Sequence, residues 1–201
     1  MSKQAIEALS PAKLNLFLHV TGQRANGYHE LQTAFQLLDW GDRMRFEVID
    51  TPGIELNPPV AGVPREDNLI FRAASSLRLP ADRGVAISIE KVIPTGGGLG
   101  GGSSNAAVTL LALNDLFELG HSVEELALKG AALGADVPVF VRGRSAWAEG
   151  IGDELMPLEL PEHWFVIISP NCHVSTKEIF TAPELTRNTP PITVSAFFEG
   201  P

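Results

Sequence analysis

Cysteine, tyrosine and basic side chains are all scarce in this 201-residue chain, and no apolar run is long. A single cysteine, Cys172, cannot close an internal disulfide, and no Cys/His cluster has metal-ligand spacing. A disulfide scaffold and a zinc site are therefore not expected. The apolar runs fall short of the roughly 20 residues that span a bilayer, so no membrane association is expected. The first residues have neither the apolar core of a signal peptide nor the Arg/Ser-rich character of a transit peptide; the expectation is a cytoplasmic protein. Fifteen basic residues face twenty-four acidic ones, giving a net charge of −9 and a pI of about 5.0. That balance opposes a general electrostatic hold on nucleic acid or anionic membrane. It leaves room for a local basic site that takes a phosphorylated substrate.

Glycine is what the chain concentrates. Pro94-Thr-Gly-Gly-Gly-Leu-Gly-Gly-Gly-Ser-Ser-Asn105 runs directly into the apolar stretch Ala106 to Phe117. Six glycines let backbone approach a ligand at an entropic cost that an ordinary loop does not carry. Ser103 or Ser104 is the expected N-cap of the following helix, whose free N–H groups would point back into the loop. Such N–H groups and the positive end of a helix dipole form an anion site, for which a phosphate chain is the usual occupant. A flexible Gly/Ser linker is the bland alternative, but a linker is not followed at once by a helix apolar on nearly every side. The P-loop pattern fails because no lysine follows the last glycine. The dinucleotide fingerprint fails as well: its acidic residue, roughly 20 positions on, would fall at Glu118 inside the helical pattern.

Elsewhere the chain mixes strands and helices. Lys13 to Val20 alternates, with Leu14, Leu16, Leu18 and Val20 on one face and Lys13, Asn15, Phe17 and His19 on the other. Asn26-Gly27 marks a turn with Tyr28 and His29 on its rim. Leu31–Leu38 is ambiguous between strand and helix, and Arg43–Ile49 reads as a strand. Asp67-Asn68 opens a helix through about Leu77, Val85–Ile93 is the strand that feeds the glycine loop, and Ser122 caps an amphipathic helix ended by Gly134. Asp136 and Pro138 occupy a short apolar corner. Arg144–Leu160 suggests paired strands, Trp164–Ser169 a strand and Thr176–Phe180 a helical turn. The expected class is α+β.

Three stretches of this chain resemble the GHMP kinases: Ser10-Pro-Ala-Lys-Leu-Asn-Leu16, the glycine loop and Leu133-Gly-Ala-Asp-Val-Pro138. Two more narrow the resemblance, Gly22-Gln-Arg-Ala-Asn-Gly-Tyr-His29 and Asp67-Asn-Leu-Ile70. The last pair fits the member of the non-mevalonate isoprenoid pathway that phosphorylates a cytidine-diphosphate-linked sugar alcohol on its tertiary 2-hydroxyl. The resemblance implies a two-lobed fold: a ribosomal-protein-S5-like N-terminal lobe, here residues 1–160, and a ferredoxin-like C-terminal lobe of which 161–201 are the start. A third glycine-rich motif of the family is not in this chain, which leads to the expectation of a truncated kinase.

The resemblance also implies site roles. ATP would lie on Pro94, Gly96, Gly97, Gly98, Leu99, Gly100, Gly101, Gly102, Ser103 and Ser104, with Mg²⁺ held mainly by the nucleotide and Ser104 a candidate contact. Asp136 would be the proton acceptor, a residue otherwise read as a helix-cap or turn acid. Lys13 would orient Asp136 and stabilise transferring charge, where by itself it would be a solvated lysine. Asn15 would reach the substrate, Tyr28 and Phe180 would sandwich the cytosine, and His29 would hydrogen-bond it. His19, His121, His163, His173 and Cys172 are read as structural or surface residues. A kinase for another small alcohol, and a nucleotide-binding module that no longer catalyses, remain open as alternatives.

Overall fold

The computed structural model describes residues 3–57, 63–170 and 175–200, so Cys172 and His173 lie outside the described residues. Its centre is a long strand pair. β1 (Ala5–Gln23) runs antiparallel to β2 (His29–Ile49) around the turn at Asn26-Gly27, where Gly27 adopts φ 87°. The ambiguous segment Leu31–Leu38 is thus strand, within β2. The other edge of β2 pairs twice. Its second half takes β4 (Gly84–Glu90), which is itself parallel to β3 (Gly53–Leu56). Its first half takes β5 (Ala146–Glu149), which forms a hairpin with β6 (Glu154–Pro157). The result is one six-stranded mixed sheet.

Helices cover one face. α1 (Leu69–Ser75) starts at Asn68, whose side chain accepts from the Ile70 N–H. α2 (Gly101–Leu116) is buried along most of its length, from Ser104 through Leu110 and Leu113 to Leu116. α3 (Val123–Ala131) begins with a capping box in which Ser122 and Glu125 satisfy each other's backbone N–H groups. α2 and α3 pack with α4 (Val137–Arg142) on Phe35, Phe46, Val85 and Ile87 of the sheet. Pairing between Ala34 and Trp147 sends those two side chains to the opposite face. There they meet Phe17, Ile192 and Phe197. This is an α+β fold, as expected.

Three expectations need correction. The helix after the glycine loop is not capped by a serine: it starts at Gly101, with Gly100 in the left-handed region (φ 72°) as N-cap and no side-chain cap bond. The corner around Asp136 and Pro138 is a helix, α4, too short for its period to show. Trp164–Ser169 joins no sheet, and Trp164, Val166 and Ile168 are almost fully exposed. Near the end of the chain lies α6 (Val194–Glu199), whose Phe197 lies against Phe17 and Trp147 at centroid distances of 5.5 and 5.9 Å.

Candidate active site

A cleft of about 1200 Å³ opens beside β1 and the N-terminus of α2. Its floor is the glycine loop. Gly96, Gly98 and Gly100 all have φ between 72° and 76°, while the residues between them do not. Left-handed residues alternating with others are the backbone pattern of a nest, an arrangement that offers successive N–H groups to an anion. The uncapped N-terminus of α2 continues that row of donors. Leu99, the loop's one apolar residue, is buried against Ala12 and Ile93. It anchors the loop to β1.

The same anchor places Lys13. The β1–β2 register jumps between Pro11, opposite Gly41, and Lys13, opposite Leu37. In this irregularity the Lys13 N–H donates to the Leu99 carbonyl at 3.0 Å. The Lys13 side chain is buried rather than solvated, so the simple alternation expected for this strand is broken here. Its ammonium donates to Asn15 Oδ1 at 2.5 Å and lies 3.4 Å from Asp136 Oδ2. Asn15 in turn donates to Thr33 Oγ1 at 2.9 Å, and Thr33 donates to the Phe17 carbonyl. Asp136 precedes α4 and makes no cap bond to it, so its carboxylate is not occupied by the helix. Among the described residues its ion-pair partner is Lys13. Loss of either partner would leave a partly buried charge, which costs more than the pair itself contributes.

A second cation borders the cradle. Lys91 donates to Asp42 Oδ2 at 2.6 Å and to Asn105 Oδ1 at 3.3 Å. Asp42 is fully buried and also accepts from the Val92 and Ile93 N–H groups and from Asn105 Nδ2. Burial pushes the Asp42 carboxyl up, but the bonds from Lys91, Ile93, Asn105 and Val92 outweigh it and hold the group below its ordinary value. Asn105 further donates to Ser10 Oγ, which donates to Ser104 Oγ at 2.8 Å. Ser104 is thus fully buried and turned away from the cleft. The expectation that its hydroxyl contacts magnesium does not fit this geometry; Ser103 lines the cleft instead.

Tyr28, His29 and Phe180 also line the cleft. Tyr28 is exposed on the turn rim. The Phe180 ring, on α5 (Thr176–Thr181), lies 5.1 Å from the His29 ring at 33°. His19, by contrast, stacks edge-on against Phe17. Among the described residues, no group of three or more His, Cys, Asp or Glu could hold a metal, and no helix is long and apolar enough to cross a membrane.

Residues 68–144 match the model of the GHMP kinases N terminal domain. A 4-diphosphocytidyl-2-C-methyl-D-erythritol kinase from Marinobacter nauticus is 56% identical, over 95% of this chain and 68% of the relative. One from Nitrosococcus oceani is 54% identical, over 95% and 69%. The chain belongs to the 4-diphosphocytidyl-2-C-methyl-D-erythritol kinases. This is a GHMP family of small-molecule kinases in isoprenoid biosynthesis, and kinase chemistry implies ATP as phosphoryl donor. The chain spans about two thirds of the length of these curated relatives. A crystal structure of 4-(cytidine 5'-diphospho)-2C-methyl-D-erythritol kinase superposes with TM-score 0.66 at 43% identity, over 78% of this chain and 56% of that one. A homoserine kinase from Cytophaga hutchinsonii, 19% identical with TM-score 0.61, shares the fold.

The structure brings Lys13, Asn15, Asp136, the glycine loop, Tyr28, His29 and Phe180 into the lining of one cleft. Sequence reasoning missed Asp42, Lys91 and Thr33. The signal for Lys91 was its position three residues before Pro94, at the end of the strand that feeds the loop. For Asp42 no local signal exists, because its partners lie 49 to 63 residues away.

Proposed function

We propose that the chain binds ATP with its phosphates on the glycine loop and transfers the γ-phosphoryl group to the 2-hydroxyl of 4-diphosphocytidyl-2-C-methyl-D-erythritol. The observation that carries this reading is the Lys13–Asp136 pair beside Gly100 of the loop, in one cleft with Tyr28, His29 and Phe180. Asp136 accepts the hydroxyl proton as the substrate oxygen bonds to the γ-phosphorus. The bond from that phosphorus to the β,γ-bridging oxygen breaks, and ADP leaves. Lys13 holds the carboxylate in place and offsets the charge that develops on the transferring group. Asn15 fixes the ammonium from the other side.

Lys91 adds positive charge at the cradle, anchored by Asp42. With no cluster of metal ligands among the described residues, Mg²⁺ enters as part of the nucleotide substrate. Tyr28 and Phe180 supply stacking faces for the cytosine, and His29 supplies an edge contact that selects it. Residues 161–201 are read as the opening of a second lobe, and the substrates, both water-soluble nucleotides, fit a cytoplasmic reaction.

Release of ADP tests the reading. Turnover should depend on the cytidine-linked acceptor, with free methylerythritol phosphate a poor substitute. Equal turnover of the free alcohol would point to a kinase of another specificity. Binding of ATP with no acceptor-dependent ADP would leave a nucleotide-binding module.

A further inference from the structure

We propose that Arg187 is a positioning residue for base selection, which locks His29 in the tautomer that carries its proton on Nδ1. The part of this inference that concerns cytosine rests on the acceptor-site reading above; the tautomer itself does not. Arg187 Nε donates to His29 Nε2 at 3.1 Å. A guanidinium has only donors and stays charged at all ordinary pH, so the nitrogen it meets must offer a lone pair. The neutral ring then has its one proton on Nδ1, and no hydrogen bond from that nitrogen to the protein exists among the described residues. Donor chemistry is therefore left on the ring of a residue that lines the cleft.

The other arms of Arg187 fix its own position. Nη2 donates to the Phe180 carbonyl at 3.0 Å and the Ala182 carbonyl at 2.8 Å, and Nη1 donates to the Leu185 carbonyl at 3.0 Å. The carbonyls at the end of α5 lack intrahelical partners and gain a cation there. One side chain thus ties His29, at the start of β2, to the end of the helix that bears Phe180. The segment that carries Arg187 is pinned on its far side: Thr189 N–H donates to the Val20 carbonyl at 3.0 Å and Ile192 N–H to Gln32 Oε1 at 2.8 Å.

The consequence is selectivity between pyrimidines. Cytosine offers an unprotonated N3 that accepts a hydrogen bond, whereas uracil has N3–H at that place. A fixed Nδ1–H donor matches the first and opposes the second. Stacking alone would hold both.

Two measurements on the intact chain test this. Long-range ¹H–¹⁵N spectra of the ligand-free protein should show His29 with a protonated Nδ1 and a lone-pair Nε2. Arg187→Met keeps the stem and removes the donors; its His29 should move toward the Nε2–H form, and Arg187→Lys should restore part of the original pattern. Calorimetric titration should give a preference for CDP over UDP of about tenfold, the worth of one hydrogen bond. In Arg187→Met that preference should collapse to near equality, with ATP affinity unchanged. An Nε2–H tautomer in the parent chain, or an Arg187→Met variant with unaltered His29 nitrogens and full CDP preference, overturns the proposal. If Arg187→Met does not fold, the parent spectrum and Arg187→Lys still decide it. An Nδ1–H tautomer in a parent chain that binds CDP and UDP alike refutes the base-selection step and leaves the tautomer lock standing, while the acceptor-site reading stands or falls separately on acceptor-dependent ADP release.

Discussion

At Asp136 and Lys13 the test of chemistry depends on substitutions that keep shape. Asp136→Asn retains the size of a group that makes no cap bond to α4. ATP should still bind while kcat falls by about 10²-fold or more, the usual loss for a general base; rapid-quench measurement of phosphoryl transfer checks it. A variant with normal transfer would remove Asp136 as proton acceptor. Lys13→Ala is the poorer probe, because the Lys13 stem packs against Gly100. Lys13→Met keeps that stem; it should lower kcat and, by leaving the Asp136 carboxylate without its partner, lower Tm as well. Asp42 makes a different prediction. Its folded pKa lies below the ordinary 3.8, so its contribution to stability is present above that value and is lost as pH falls through the folded value. Acid denaturation should therefore steepen below about pH 4. Asp42→Asn faces Lys91 and Asn105 with a donor in place of an acceptor. It should cost about 3 kcal/mol at neutral pH and flatten that acid limb, as read by urea unfolding at several pH values. An unchanged acid limb would show that other carboxylates set it.

The loop and α2 act as one element, since the nest is only as rigid as the helix it opens. Two glycines separate binding from folding. A Cβ at Gly97 would meet nothing closer than the Pro94 carbonyl oxygen at 3.4 Å, and the site is exposed. Gly97→Val should cut ATP affinity at least tenfold and leave stability within about 0.5 kcal/mol, as for other surface changes. Gly100 differs, with φ +72° and a Cβ that would lie 2.7 Å from Phe140 and 3.0 Å from Lys13 Cγ. Gly100→Ala should cost about 2 kcal/mol or more of stability. Fluorescent-nucleotide titration and thermal melts together distinguish the two. If both variants lose affinity in proportion to stability, the nest has no binding role apart from the fold.

On the scale of the molecule, the apolar side chains divide unevenly. The sheet is covered by α1 to α4 on one side and in part by Phe197 on the other. From Trp164 to Ile168 the chain instead presents Trp164, Val166 and Ile168 to solvent. Contiguous apolar surface of this kind favours association. The 201-residue chain should therefore show concentration-dependent self-association in sedimentation, with Trp164 emission shifting to the blue as it occurs. Val166→Lys with Ile168→Lys should suppress both. Association that persists in the double variant would move the contact to another surface.

Local chemistry, read from the sequence alone, determined the glycine cradle, the buried helix behind it, the Asn26-Gly27 turn and the Ser122 cap. Each of these rests on neighbours within a few residues, and the residue types by themselves select the conformation. Tertiary structure decided what depends on distant partners. Lys13 looks solvated by its pattern and is buried because the strand irregularity hands its N–H to Leu99. Asp136 looks like a cap and faces Lys13, because α4 leaves its carboxylate unclaimed. Trp164–Ser169 has strand composition yet joins no ladder, since a strand exists only beside a partner. Asp42 finds Lys91 49 residues away, and Arg187 finds His29 across 158. Spacing along the chain carries no trace of such pairs, because only the folded sheet and the helices on it bring them within reach.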